Sequence, residues 1–179
     1  MFNIVLLEPE IPANTGNIGR TCLITGSRLH LIEPMGFILN DKNLKRAGLD
    51  YWHELDHVVY NSWQDFCRIN AEKLYIGGVS DEGPAEGKAR LWMATTKAKK
   101  VYSDASFRDG DFIMFGKESA GIPEEILLEN KETSVRIPMA GEMRSLNLSN
   151  AAAIILYEAL RQNGFPDLEL TGQLHEHEW

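Results

Sequence analysis

Hydrophobic positions in this chain gather into short, nearly unbroken runs: Ile4-Val5-Leu6-Leu7, Leu29-His30-Leu31-Ile32, Leu91-Trp92-Met93-Ala94 and Phe112-Ile113-Met114-Phe115. Continuous rather than alternating apolar runs, bounded by Pro, Gly or Asn, read as strands buried on both faces. The pattern predicts strands over 3–8, 28–33, 73–79, 91–96, 111–115 and 135–139. Helical spacing and helix punctuation mark the stretches between them. These are 14–25, stopped at Gly26; 41–47, with Asp41 near its start; 63–69, capped by Ser62 or a neighbour; 123–129, with proline in its first turn; and 147–162, the longest. Pro9 and Pro12 are expected to break the first strand, and His53 and His57 fall in an acidic connector. Strands alternating with helices argue an α/β fold: a mainly parallel sheet with helices on both faces. The segment 80–88, rich in Gly, Pro and Glu, reads as a loop or hairpin tip. There is no internal repeat, low-complexity run or linker. One domain is expected over 1–164, followed by a mobile tail over 165–179.

Three polar clusters fall at predicted strand ends: Asn14-Thr15-Gly16-Asn17, Gly116-Lys117-Glu118-Ser119-Ala120-Gly121 and Ser145-Leu146-Asn147-Leu148-Ser149-Asn150. Open α/β sheets bind ligands beyond the carboxyl ends of their strands, where loops present N–H groups and small side chains. Each cluster alone is accounted for by an ordinary strand-to-helix turn; together they read as the walls of one site.

Composition narrows the class. A chain of 179 residues, 44% hydrophobic and 25% charged, suits one globular domain with a sizeable core. No apolar run approaches a membrane span, and the N-terminus lacks a basic leader and a small-residue cleavage site. Cys22 and Cys67 sit in apolar surroundings away from any metal-ligand spacing, which fits a reducing compartment. The expectation is a cytoplasmic protein with no membrane partner and no metal. The terminal His175-Glu176-His177-Glu178 has no further ligands in view and reads as a mobile end.

A net charge of −8 argues against a broad nucleic-acid surface, although local distribution matters more than the sum. Lys42, Lys45 and Arg46 share one helix face and read, on their own, as a solvated surface. Lys88, Arg90, Lys97, Lys99 and Lys100 are interrupted by no acid, and Arg20, Arg136 and Arg144 fall within or beside the polar clusters. A dinucleotide fold or a standard methyltransferase fold would place a G-x-G-x-x-G-type turn after the first strand. Here Pro9-Glu10-Ile11-Pro12-Ala13-Asn14 follows instead, and Gly121 is followed by Ile122-Pro123 rather than the Lys-Ser of a phosphate-binding loop.

Asn14-x-Gly16-Asn17-x-x-Arg20, Phe115-Gly116-x-Glu118-x-x-Gly121-Ile122-Pro123, and Ile137-Pro138-Met139 with Ser145-Leu146-Asn147-Leu148-Ser149-Asn150-Ala151 resemble the three motifs of the SPOUT-class RNA 2′-O-ribose methyltransferases. Within that class the match is to the small, single-domain tRNA (cytidine/uridine) 2′-O-methyltransferases that modify the anticodon wobble nucleotide. Ile32-Glu33-Pro34-Met35-Gly36-Phe37 and Arg46-Ala47-Gly48-Leu49-Asp50-Tyr51 match the same subfamily, and coverage runs to about Gly164. The acidic loop Asp81-Glu82-Gly83-Pro84 is an addition relative to compact members.

The resemblance implies an α/β-knot: the C-terminal part tied into a trefoil, an exception to un-knotted topology. It also implies S-adenosylmethionine as cofactor, tRNA as partner and a homodimer with the active site at the interface. By correspondence Ala94, Gly116, Ile137 and Ser145 contact the cofactor. Ile137 and Met139 read equally as strand core. Methyl transfer to a ribose 2′-hydroxyl needs alignment and a path for the proton. No histidine lies in the three clusters. The family role of the motif-one arginine carries to Arg20, a fork able to clamp a phosphate, with a plain surface residue as the alternative. Asn14, Glu118, Ser145 and Asn147 match positions that orient the ribose, the cofactor or one another; Glu118 reads otherwise as a helix-cap partner near Pro123. A sister enzyme acting on another tRNA or rRNA ribose, and a non-catalytic RNA-binding module, are the competing functions. The apolar helical face Ala151, Ile154, Ile155 and Ala159 serves either the core or a dimer.

Overall fold

The structure, a computed structural model, describes residues 1–38, 51–77, 87–141 and 145–177. The expected helix over 41–47, most of the loop 80–88, Arg144 and the last two residues lie outside the described residues.

Among the described residues the strands are β1 (Asn3–Leu7), β2 (Arg28–Ile32), β3 (His57–Tyr60), β4 (Leu74–Tyr75), β5 (Ala89–Ala94), β6 (Lys100–Val101), β7 (Phe112–Phe115) and β8 (Ser134–Arg136). They form one sheet in the order β3-β2-β1-β7-β5-β8-β6, with β4 also pairing β5. Every strand pair is parallel. β4 meets the start of β5 at Leu74–Ala89, and β8 meets its end at Ala94–Val135.

Among the described residues four α-helices cover the sheet: α1 (Pro12–Ile24), α2 (Trp63–Asn70), α3 (Glu124–Glu129) and α4 (Leu148–Gln162). The continuous apolar runs follow from this sandwich, because successive side chains point to opposite faces. Ile4, Leu6, Leu29, Ile113 and Phe115 pack with Ile18 and Cys22 of α1 and Ile155 and Leu156 of α4. Val5, Leu7, Ile32, Met114 and Phe112 pack with Phe66 of α2 and Ile126 of α3. Phe165 and Leu168 lie against the first of these clusters. No helix of the described residues is long and apolar enough to cross a membrane.

Several expectations change. Pro12 opens α1 rather than preceding it, where its missing N–H removes no hydrogen bond. The connector holding His57 contains edge strand β3, whose Val59 is exposed, so its pattern is not that of a doubly buried strand. The strand expected over 73–79 shrinks to β4, and β6 is added. The apolar face of α4 divides: Ile155 and Ala159 are buried in the core, whereas Ile154 is 36% exposed. His30, in β2, is fully enclosed. Its Nε2 donates to Asn3 Oδ1 at 3.1 Å and its Nδ1 accepts from the Tyr60 hydroxyl at 2.8 Å. Burial, then the Arg28 charge, push its pKa down to about 4.

Candidate active site

The three polar clusters meet. The Glu118 carboxylate, just beyond β7, accepts from the main-chain N–H of Glu10 at 2.9 Å and of Ile11 at 3.3 Å. It also accepts from Asn14 Nδ2 at 2.9 Å. Asn14 Oδ1 in turn accepts from Asn147 Nδ2 at 2.8 Å. Asn147 is the N-cap of α4, its Oδ1 accepting from the N–H of Ser149 and Asn150. One relay, Glu118–Asn14–Asn147, therefore ties residues far apart in the chain and ends at two helix starts. Glu118 is a helix-cap partner, but of α1 rather than of the helix after Pro123. A carboxylate there satisfies free N–H groups and meets the positive end of the helix dipole.

A second set of contacts laces the loops after β1 and β7. Glu10 accepts from the Ser119 hydroxyl and N–H, each at 2.8 Å, and Lys117 Nζ donates to Glu8 at 2.8 Å. The Ser119 hydroxyl first, then its N–H, hold the Glu10 carboxyl below the usual carboxylate range. The hydrogen bond it donates to Glu8 raises the Lys117 pKa. This reciprocal pairing was missed in the sequence. The one available signal was the acidic Glu8-Pro9-Glu10 facing the Lys117-Glu118-Ser119 loop, which requires knowing that β1 and β7 are neighbours.

Beyond the carboxyl ends of β5, β7 and β8 lies a cleft of about 450 Å³. Ala94, Gly116, Ile137 and Ser145 all line it, together with Asn14, Glu118 and Asn147. Met139, expected with Ile137 in the apolar wall, lines it too, as do Thr95 and Thr96, which were not singled out. The cleft's cations are already paired, Lys97 with Glu124 at 2.7 Å and Lys117 with Glu8. Gly116 is needed for a reason other than cofactor approach. A Cβ there would sit 2.1 Å from the Gly121 carbonyl carbon and 2.3 Å from Ile122 N, so the turn over 117–121 closes back against the backbone at that point.

Arg20 stands apart. It is exposed on α1, is not among the residues lining the cleft, and its guanidinium lies 6.0 Å from the Tyr51 ring centroid. Tyr51 is anchored by donating its hydroxyl to the Gly16 carbonyl at 2.7 Å.

Residues 1–157 match the family described as SpoU rRNA Methylase. The chain belongs to that family. It is similar to the tRNA (cytidine(34)-2'-O)-methyltransferase of Saccharophagus degradans, 48% identical over 166 residues, 92% of this chain and 97% of the relative. It is also similar to a solved structure described for 2-OH methylation of C/U34 on tRNA. That match has 38% identity and a TM-score of 0.78, covering 92% of this chain and 97% of the other. The fold is shared with AviRb of Streptomyces viridochromogenes in complex with the cofactor AdoMet, at 24% identity and a TM-score of 0.71. There 90% of this chain matches 60% of that one.

For a SpoU methylase the relay has a plain structural meaning. It fixes the start of α1, which carries Arg20, against the loop 145–147 that borders the cleft. Both ends are positioned through Asn14, which is buried and bonded on both sides of its amide.

Proposed function

We propose that this chain catalyses S-adenosylmethionine-dependent 2′-O-methylation of the ribose at the wobble position, 34, of tRNA, on cytidine or uridine. The observation carrying this reading is that all three motif segments border one cleft and are joined by the Glu118–Asn14–Asn147 relay. The names of the full-length relatives support the target. The cleft suits the cofactor. Ile137, Met139 and Val135 offer an apolar wall, Thr95, Thr96 and Ser145 offer polar edges, and among the described residues the lining lysines are paired.

The cofactor, when bound, supplies an electrophilic methyl group. The chain's residues do the rest. Ala94, Gly116, Ile137 and Ser145 hold the cofactor, and Asn14, Glu118 and Asn147 keep the loops at fixed separation. Arg20 clamps the phosphate beside the reacting ribose and helps that substrate group accept the 2′-hydroxyl proton as the 2′-oxygen attacks the methyl carbon. Because Arg20 lies outside its own chain's cleft, it acts in this reading across a homodimer, toward the partner's cleft. Exposed Ile154 and Tyr157 on α4 give that interface an apolar surface. The segment from about 115 to 162 is read as the knotted part of one domain spanning 1–164.

Incubating the protein with total tRNA and labelled cofactor, then mapping 2′-O-methyl groups, tests the assignment. Label at nucleotide 34 is expected. Label only at another tRNA or rRNA position would transfer the chemistry to a sister target. No transfer despite cofactor binding would leave a non-catalytic module.

A further inference from the structure

The amino ends of β1, β2, β5 and β7 border a second cleft of about 700 Å³, at the opposite end of the sheet from the first. Among the described residues five cationic side chains line it, Arg28, Lys73, Lys88, Arg90 and Arg108, against two acids, Asp109 and Asp111. This is a local reversal of sign in a chain of net charge −8.

Both acids are engaged by donors. Asp111 accepts from the N–H of Arg90 at 2.9 Å, the N–H of Arg108 at 3.0 Å and Trp92 Nε1 at 2.8 Å. Asp109 accepts from the N-terminal amine of Met1. Of the cations, Arg28 alone is paired with a carboxylate among the described residues, Asp56 at 2.7 Å. Lys88 donates to the Ala71 carbonyl at 2.8 Å and Arg90 to the Ser106 carbonyl at 3.4 Å, neutral acceptors that leave the charge uncompensated. The Arg90 Nε is buried with no acceptor. The side chains of Lys73 and Arg108 have no hydrogen-bond or ion-pair partner among the described residues.

We propose that this cleft binds a ligand carrying two or more closely spaced phosphate groups. Among the described residues, four cations without a carboxylate partner outnumber Asp111, whose charge its neutral N–H donors leave in place, by more than a single carboxylate neutralises. Guanidinium forks beside ammonium groups match phosphate oxygens in geometry and charge, and a buried unpaired N–H is costly until an acceptor arrives. The contrast with the first cleft, whose lysines are already paired, places the anion site here. The phosphates come either from a free polyphosphate, as in a nucleotide, or from the backbone of single-stranded RNA. The site is separate from the methyl-transfer reading and stands without it.

The test is calorimetric titration of the full chain at low salt with inorganic tripolyphosphate and, separately, with a uridine hexanucleotide. The double variant Lys73→Ala/Arg108→Ala runs alongside; both side chains are exposed, and circular dichroism checks its fold. Saturable binding is expected with at least one probe, weakened about tenfold or more in the variant, with a salt slope shallower by about one to two. Variant-sensitive binding of tripolyphosphate alone identifies a free polyphosphate, and of the oligonucleotide alone an RNA backbone. S-adenosylmethionine affinity should be unchanged in the variant, so failure of either site leaves the other readable. Absence of saturable binding by both probes overturns the proposal, as does binding indifferent to the two substitutions.

Discussion

Replacing Glu118 probes the relay at its most connected point. Its carboxylate takes three N–H donors on two oxygens, Oε1 serving Ile11 and Asn14 and Oε2 serving Glu10. In Glu118→Ala the amide of exposed Ile11 turns to water at little cost, but Asn14 is buried and its Nδ2 loses its acceptor. A stranded buried donor costs about 1–3 kcal/mol, and a hydrogen bond to a charged group contributes about 1.5–3 kcal/mol. Losses that overlap in this way sum to roughly 2–4 kcal/mol, or about 4–16 °C in Tm for a chain of this size. Glu118→Gln keeps the oxygen facing Asn14 but turns an NH2 toward the Glu10 N–H, so about half that loss is expected. Loosening Asn14 also frees Asn147, so affinity for S-adenosylhomocysteine should fall a few-fold along with Tm. Thermal unfolding at fixed protein concentration and cofactor-product titration read the two effects. If Glu118→Ala unfolded within a degree of the unsubstituted protein and bound the product equally well, the relay would be an incidental contact.

Gly116→Ala should destabilise the fold as well as cofactor binding, since its Cβ would overlap the backbone of Gly121 and Ile122. Soluble, normally melting protein that had lost only cofactor affinity would contradict that overlap. His30 should remain neutral to about pH 4 in an NMR titration, against 6.5 when unfolded. Because the unfolded chain takes up that proton first, stability is complete above about pH 6.5 and falls by up to about 3 kcal/mol toward pH 4; titration of His30 near 6.5 would refute it. Arg20→Ala should slow single-turnover methylation by roughly a hundredfold or more, with cofactor affinity within about threefold and poor rescue by Arg20→Lys. Near-normal turnover would move proton handling to another group.

What the sequence disclosed and what it concealed divide along physical lines. The buried strands were legible because burial on both faces leaves four apolar residues in a row, as in β1 and β7. The site was legible because loops that must approach a ligand closely are written in Gly, Asn and Ser, as at 14–17, 116–121 and 145–150. Edge strand β3 escaped because one exposed face and a histidine at its start remove the apolar run. The lacing of Glu8 and Glu10 to Lys117 and Ser119 escaped because ion pairs between residues 109 apart leave no local pattern. Gly116 lines the cleft as expected, but its missing side chain also makes room for residues 121–122, a requirement that only the folded turn reveals.

The charge distribution shows why net charge was a poor guide to partners. Glu8, Glu10 and Glu118 count toward the negative total, yet each is committed within the fold, to a lysine, a serine or main-chain N–H groups. Asp111 is spent the same way on three N–H donors. Pairing with Lys117 offsets the Glu8 charge, while Lys73, Lys88, Arg90 and Arg108, without a carboxylate partner among the described residues, outnumber Asp111 around one concavity. An acidic chain can therefore present a cationic face. Its field at short range is set by which charges the fold has consumed, and beyond about 10 Å at 0.1 M salt the remainder is screened.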